Sequence, residues 1–194
     1  VAFTDHSQSL NIANGLSVER VKKQWQEIEE IRKDYPDFLI LKGIEVDIKK
    51  DGSLDYSDEI LSGFDLVIAS VHANFNLSAD QMTERIIKAI ESPYVDILGH
   101  PTGRMLGQRQ PFEFDFDKVL KAAKENDVAL EINASPSRFD LNDTMARDAL
   151  REGVKIIINT DSHHSDQYEY MKYGICIARR AWAEKQDIIN TYSI

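Results

Sequence analysis

The sequence predicts an α/β protein built on a largely parallel sheet, and it favours a closed barrel over an open one. Short apolar runs alternate with amphipathic segments of helical period along the whole chain. No glycine-rich phosphate fingerprint follows the first run, which weakens a doubly wound dinucleotide-binding reading. Histidine or glutamate also closes one apolar run after another, as expected where strand ends converge on one rim of a barrel.

The first run is Val1–Thr4. Ser17 is a suitable N-cap for a helix reaching about Asp34, with Val21, Trp25, Ile28 and Ile31 along one face and Pro36 as its stop. The second run, Phe38–Val46, continues to Ile48 before a turn at Lys50-Asp51-Gly52-Ser53. The third is Leu66–Val71. Ser78-Ala79-Asp80-Gln81 reads as a capping box opening a helix through about Glu91, with Met82, Ile86, Ile87 and Ile90 inward. The fourth run is Val95–Leu98, followed by a basic loop and a helix from about Asp117 to Glu125. The fifth run, Val128–Asn133, precedes a helix near Asp143–Glu152 that Gly153 closes. Val154–Asn159 is the sixth run, and Gly174–Ala178 is read as a possible seventh strand.

Composition narrows the function. The 194 residues suit one domain, and 42% hydrophobic with 29% charged residues is ordinary for a soluble globular protein. No apolar run reaches membrane-spanning length and no signal-peptide pattern is present, so a cytoplasmic protein without a membrane partner is expected. One cysteine, Cys176, excludes an internal disulfide; its apolar run predicts a buried, inert thiol. A net charge of −10 opposes broad attraction to nucleic acid, so a phosphate-bearing ligand would need bound cations or a local basic patch.

Of five histidines, four sit at or just after different runs. His6 follows the first in TDHS, His72 the third in SVH, His100 the fourth in GHP, and His163 the sixth in NTDSHH, beside His164. Glu45 lies near the end of the second in GIEVD. Imidazole with carboxylate suits zinc, iron or manganese, and the absence of cysteine ligands argues against a closed thiolate site. Asp161 and His163 are two apart and project to one side in extended geometry. A carboxylate that bridges two cations gives the arrangement used to hydrolyse phosphate esters.

The succession TDHS, GIEVD, SVH, GHP, EINASPSRFDL and NTDSHH resembles the polymerase-and-histidinol-phosphatase (PHP) superfamily, and more narrowly the C-terminal PHP domain of bacterial family X DNA polymerases. HPTGRMLGQR and the tail YGICIARRAWAEKQDIINT carry the narrower likeness. The resemblance implies a distorted (β/α)7 TIM-like barrel, an N-terminal polymerase domain in the full-length protein, and up to three divalent metal ions. It implies manganese for activity, with zinc or iron as alternatives, and 3′–5′ exonuclease-type hydrolysis of DNA ends or of another phosphoester. By the same resemblance Glu45 bridges two metals, His72 and His100 complete one position, Asp161 ligates the other, and His6 and His163 serve the third. The resemblance also implies that Glu45 and Asp161 are the catalytic carboxylates. The family's opening strand carries an HxH motif and, slightly later, a further ligand. This chain begins at what would be the second strand, so it reads as a single PHP domain over 1–194, N-terminally incomplete.

Arg104 and Arg109, after His100, and Arg138, after the fifth run, would occupy the same rim as two-pronged phosphate binders, with Asn133 orienting substrate or water. Asp5 is either a partner fixing an imidazole tautomer or a turn residue, Glu131 a strand-end support, His164 a solvated loop residue, and Trp182 core packing. Two rival functions stay open. One is a phosphomonoesterase of the histidinol-phosphatase type; the other is a non-catalytic, metal-stabilised module of a polymerase.

Overall fold

The computed structural model describes residues 1–192. Six strands, β1 (Ala2–Phe3), β2 (Leu41–Asp47), β3 (Leu66–Ser70), β4 (Ile97–Leu98), β5 (Ala129–Asn133) and β6 (Ile156–Asn159), pair in parallel and in chain order. Consecutive pairing of parallel strands through helical crossovers curls the sheet into a half-barrel. Among the described residues β1 and β6 are its edge strands, and β6 carries an isolated parallel bridge from Ile156 to Ile188.

The helices are α1 (Val18–Asp34), α2 (Asp58–Leu61), α3 (Ala79–Ile90), α4 (Phe116–Glu125), α5 (Asp143–Glu152) and α6 (Met171–Arg180). Their ends follow the local chemistry. Ser17 accepts from the Arg20 amide, and Ser78 with Gln81 completes a capping box. Gly153 ends α5 in the left-handed region at φ +80°, which a side chain would strain. In α1, Val21 and Ile28 are buried, but Ile31 near its end is 41% exposed.

Strand periodicity sorts the apolar residues into two clusters. Ile44 and Val46, Val67 and Ala69, Leu98, Leu130 and Ile132, and Ile156 and Ile158 point outward and join the main core with the helices. Ile68, Ile97, Ala129 and Ile157 point inward and form a small plug inside the half-barrel. The inward register of β2 also carries Glu45 and Asp47, and that of β5 carries Glu131 and Asn133.

Three expectations are corrected here. Gly174–Ala178 is not a strand but the centre of α6. Gly174 and Ala178 are its buried residues, four apart, while Ile175 is 45% exposed, which is helical rather than strand spacing. A Cβ on Gly174 would stand 2.3 Å from Ile158 Cγ2, so glycine lets α6 lie directly on β6. The same helix turns Cys176 to solvent, contrary to the predicted buried thiol. Trp182 is also not core: it is 71% exposed, with the Arg147 guanidinium 4.0 Å above its ring.

The edge of β6 is closed by a side chain. Asn190 Oδ1 accepts from the Ile158 amide at 2.8 Å and its Nδ2 donates to the Ile158 carbonyl at 3.0 Å, copying a neighbouring strand. Asn190→Leu is expected to destabilise the domain by about 1–3 kcal/mol, because both backbone groups lose their partner. An unchanged urea midpoint would refute that role.

Candidate metal centre

Glu45 is the hub of the site. It is 8% exposed and takes a histidine nitrogen from three other strand ends. His6 Nδ1 stands 3.2 Å from Oε2, His72 Nε2 stands 3.2 Å from Oε1, and His100 Nε2 donates to Oε1 at 2.9 Å. The four imidazoles form a row, with centroids 6.2 Å apart for His163–His6, 5.1 Å for His6–His72 and 5.0 Å for His72–His100. His100 reaches inward although strand alternation after Leu98 would turn it outward. Its backbone φ of +24° makes the change.

Asp47, two residues beyond Glu45 on the same face, fixes His72. Its Oδ1 lies 2.5 Å from His72 Nδ1 and its Oδ2 accepts from Ser9 Oγ at 2.6 Å. An Nδ1–H donated to Asp47 fixes the ring so that Nε2 faces Glu45, where a bound cation would take the place of the Nε2 proton. Burial favours the neutral ring, but Asp47 and Glu45 outweigh it and raise His72 to about 9. Burial also pushes Glu45 up, yet the hydrogen bonds and charge of His100 and His72 hold it well below the usual carboxylate range. His6 is lowered by burial, with Glu45 pulling the other way.

A divalent cation fits these donors. Ligand atoms of His6, Glu45 and His72 all lie within 4.8 Å of one another. His6 Nδ1 and His72 Nε2 are buried with no hydrogen-bond partner, and such unpartnered ring nitrogens beside a carboxylate are where a cation would bind.

Asp161 lines, with His6, Glu45, His100 and Asn133, a cavity of about 870 Å³. Its φ is +51°. Asp161 Oδ2 accepts from Asn133 Nδ2 at 3.1 Å and lies 3.3 Å from Arg138 Nε. His163 stands at the mouth, its side chain 68% exposed and its Nδ1 3.0 Å from the Asp161 carbonyl. His164 is exposed too, and its Nδ1 accepts the Asp166 amide of its own loop.

Beneath Asp161 lies Glu131, 4% exposed. Its Oε2 accepts from the His100 backbone amide at 2.6 Å and Asn133 Nδ2 at 3.3 Å, and its Oε1 from Asn159 Nδ2 at 2.9 Å. Burial pushes Glu131 up to about 7, with the charge of His100 opposing.

The predicted substrate residues divide. Asn133 and Arg138 face Asp161, and Arg138 Nη1 is buried without a partner among the described residues. Arg104 donates to the carbonyls of Arg138 and Phe139, so its guanidinium braces a loop. Arg109 donates to the Gly103 carbonyl at 2.7 Å and stacks over Phe75 at 3.9 Å. Asp5 spends its carboxylate on Gln24, not on an imidazole. The imidazole partner is Asp47, which sequence reading passed over; its two-residue spacing from Glu45 in GIEVD was the available signal. Asp47→Ala is expected to weaken manganese binding by roughly 10–100-fold, the usual effect of losing a partner that orients a ligand. Competition with a fluorescent chelator would measure it, and an unchanged affinity would refute the role.

No family model matches the chain. Over all 194 residues it is 42% identical to the DNA polymerase/3′-5′ exonuclease PolX of Bacillus subtilis, spanning 34% of that protein's length. It is 37% identical over 162 residues, 78% of the chain, to a probable phosphatase of Thermoanaerobacter sp. (strain X514), spanning 64% of that protein. Its fold matches the crystal structure of histidinol phosphate phosphatase from Lactococcus lactis complexed with zinc, L-histidinol and phosphate. That match has a TM-score of 0.64 at 19% identity and covers 94% of this chain and 82% of the other. With the half-barrel of parallel strands and the histidines gathered round Glu45, these likenesses show that the chain resembles the PHP family, and most narrowly the PHP domain of bacterial family X DNA polymerases.

Proposed function

We propose that this chain is a metal-dependent phosphoesterase domain that hydrolyses phosphodiesters at DNA ends in the 3′–5′ direction, as part of a longer polymerase. The observation that carries this reading is the Glu45 carboxylate ringed by His6, His72 and His100, two of whose facing nitrogens are buried and unpartnered. His6, Glu45, His72, His100, Asp161 and His163 would hold up to three divalent ions, manganese for activity. A cation bound there acidifies water and neutralises charge on a phosphoryl oxygen.

The chain's own residues do the rest. Glu45 and Asp161 supply negative charge to the lining of the cavity. Asn133 and Arg138 steady Asp161, and Arg138 brings positive charge for a phosphate into a chain whose net charge is −10. Whole-chain identity to a much longer polymerase supports the place in that protein.

A phosphomonoesterase is the second reading, favoured by likeness to relatives named as probable phosphatases. The test is manganese-dependent degradation of 5′-labelled single-stranded DNA by the full-length protein and its Glu45→Ala variant, beside p-nitrophenyl phosphate. A shortening ladder present only in the unsubstituted protein is expected. Equal ladders would sink the role of Glu45, and a strong preference for p-nitrophenyl phosphate would favour the monoester. Inactivity of fully metallated protein would favour a structural module.

A further inference from the structure

We propose that Glu131 is a positioning residue that locks the two halves of the metal centre to each other. The proposal rests on the metal-site reading above. Glu45 with His6, His72 and His100 forms one half, and Asp161 with His163 the other. Among the described residues no direct hydrogen bond joins Asp161 to Glu45 or His100. Glu131 spans the gap. One carboxylate oxygen takes the His100 amide at 2.6 Å, at the residue whose φ of +24° turns its ring back toward Glu45. The same oxygen takes Asn133 Nδ2 at 3.3 Å, and that amide also donates to Asp161 at 3.1 Å. The other oxygen takes Asn159 Nδ2 at 2.9 Å, at the end of the strand that leads into Asp161.

A positive φ on a residue with a side chain persists only where its surroundings hold it, and both His100 and Asp161 have one. Glu131 holds the first directly and the second through Asn133. Support of β5 alone would not require this: the strand is already paired on both sides by β4 and β6. The buried carboxylate instead joins the ends of β4, β5 and β6 on the face where the ligands lie.

The test uses the full-length protein and reads manganese affinity and exchange of the His100 amide proton. Glu131→Ala removes every acceptor. It is expected to weaken manganese binding roughly 10–100-fold and to abolish protection of the His100 amide, in a protein with unchanged far-UV circular dichroism. Glu131→Gln can keep all three bonds if Asn159 turns its amide to accept, so affinity within about threefold and a protected His100 amide are expected. Asn133→Ala cuts the Asp161 arm, with the bond from the Ser135 amide, but not the His100 arm; it should weaken binding while leaving His100 protected, which keeps the proposal testable should Glu131→Ala fail to fold. Equal weakening by Glu131→Gln and Glu131→Ala would overturn the proposal, since charge rather than bond geometry would then matter. So would a lower melting temperature with unchanged affinity. Glu45→Gln serves as the reference. If it removes manganese binding while Glu131→Ala and Asn133→Ala do not alter it, the positioning role alone falls. If no manganese binding depends on Glu45, the metal reading falls and takes this proposal with it.

Discussion

Glu45→Gln is expected to lower manganese-dependent hydrolysis by the full-length protein by at least about 10²–10³-fold, the scale of deleting one preorganised electrostatic partner. The substitution keeps the shape of the side chain and removes its charge, so packing is not the cause. In the native site one oxygen faces His72 Nε2 and His100 Nε2 and the other faces His6 Nδ1. A glutamine must turn its NH2 toward one of these sets. Turned toward His6, it donates into a nitrogen needed as a lone-pair donor. Turned the other way, it meets the N–H of His100. Either orientation also removes the negative charge that a cation between these rings requires. Hydrolysis within threefold of the unsubstituted protein at saturating manganese would show that Glu45 is not the hub.

The largest loss of stability is expected from Ile132→Ala, about 2–5 kcal/mol, since Ile132 is fully buried at the centre of β5 and deletion leaves a cavity. The helices α4 and α6 pack on this strand, and close-packed interiors relax only in part. Urea-dependent hydrogen exchange at the β5 amides would read the stability of this domain within the longer protein. A loss under 1 kcal/mol would mean that the helices collapse into the space. Ile132 also lies between Glu131 and Asn133, which face the other way into the site. Weakened manganese binding should therefore accompany the lost stability.

Much of the fold is legible in the sequence because it depends on local signals. Ser17 and Ser78 mark helix starts, Gly153 a helix end, and apolar runs the strands. The residues round Glu45 are legible for a related reason: each sits at the end of its own run. What escapes is decided by long-range contacts. Gly174–Ala178 is apolar enough for a strand, but it lies inside a helix that buries Gly174 and Ala178 and seats Gly174 against Ile158 and Ala134. Arg104 and Arg109 look alike as basic loop residues, but folding spends one on the carbonyls of Arg138 and Phe139 and sets the other over Phe75. Asp47 and Asp5 each neighbour a histidine or glutamate in sequence. Tertiary placement gives Asp47 to His72 and Asp5 to Gln24.

The alternation along β2 and β5 also bears on how such a protein can change over generations. Ile44, Val46, Leu130 and Ile132 carry the packing, while Glu45, Asp47, Glu131 and Asn133 carry the chemistry, and no residue of these eight does both. A substitution that retunes the pocket thus falls on a position whose neighbours in sequence, not itself, keep the protein folded. Selection on substrate and selection on stability then act on interleaved but separate sets of codons.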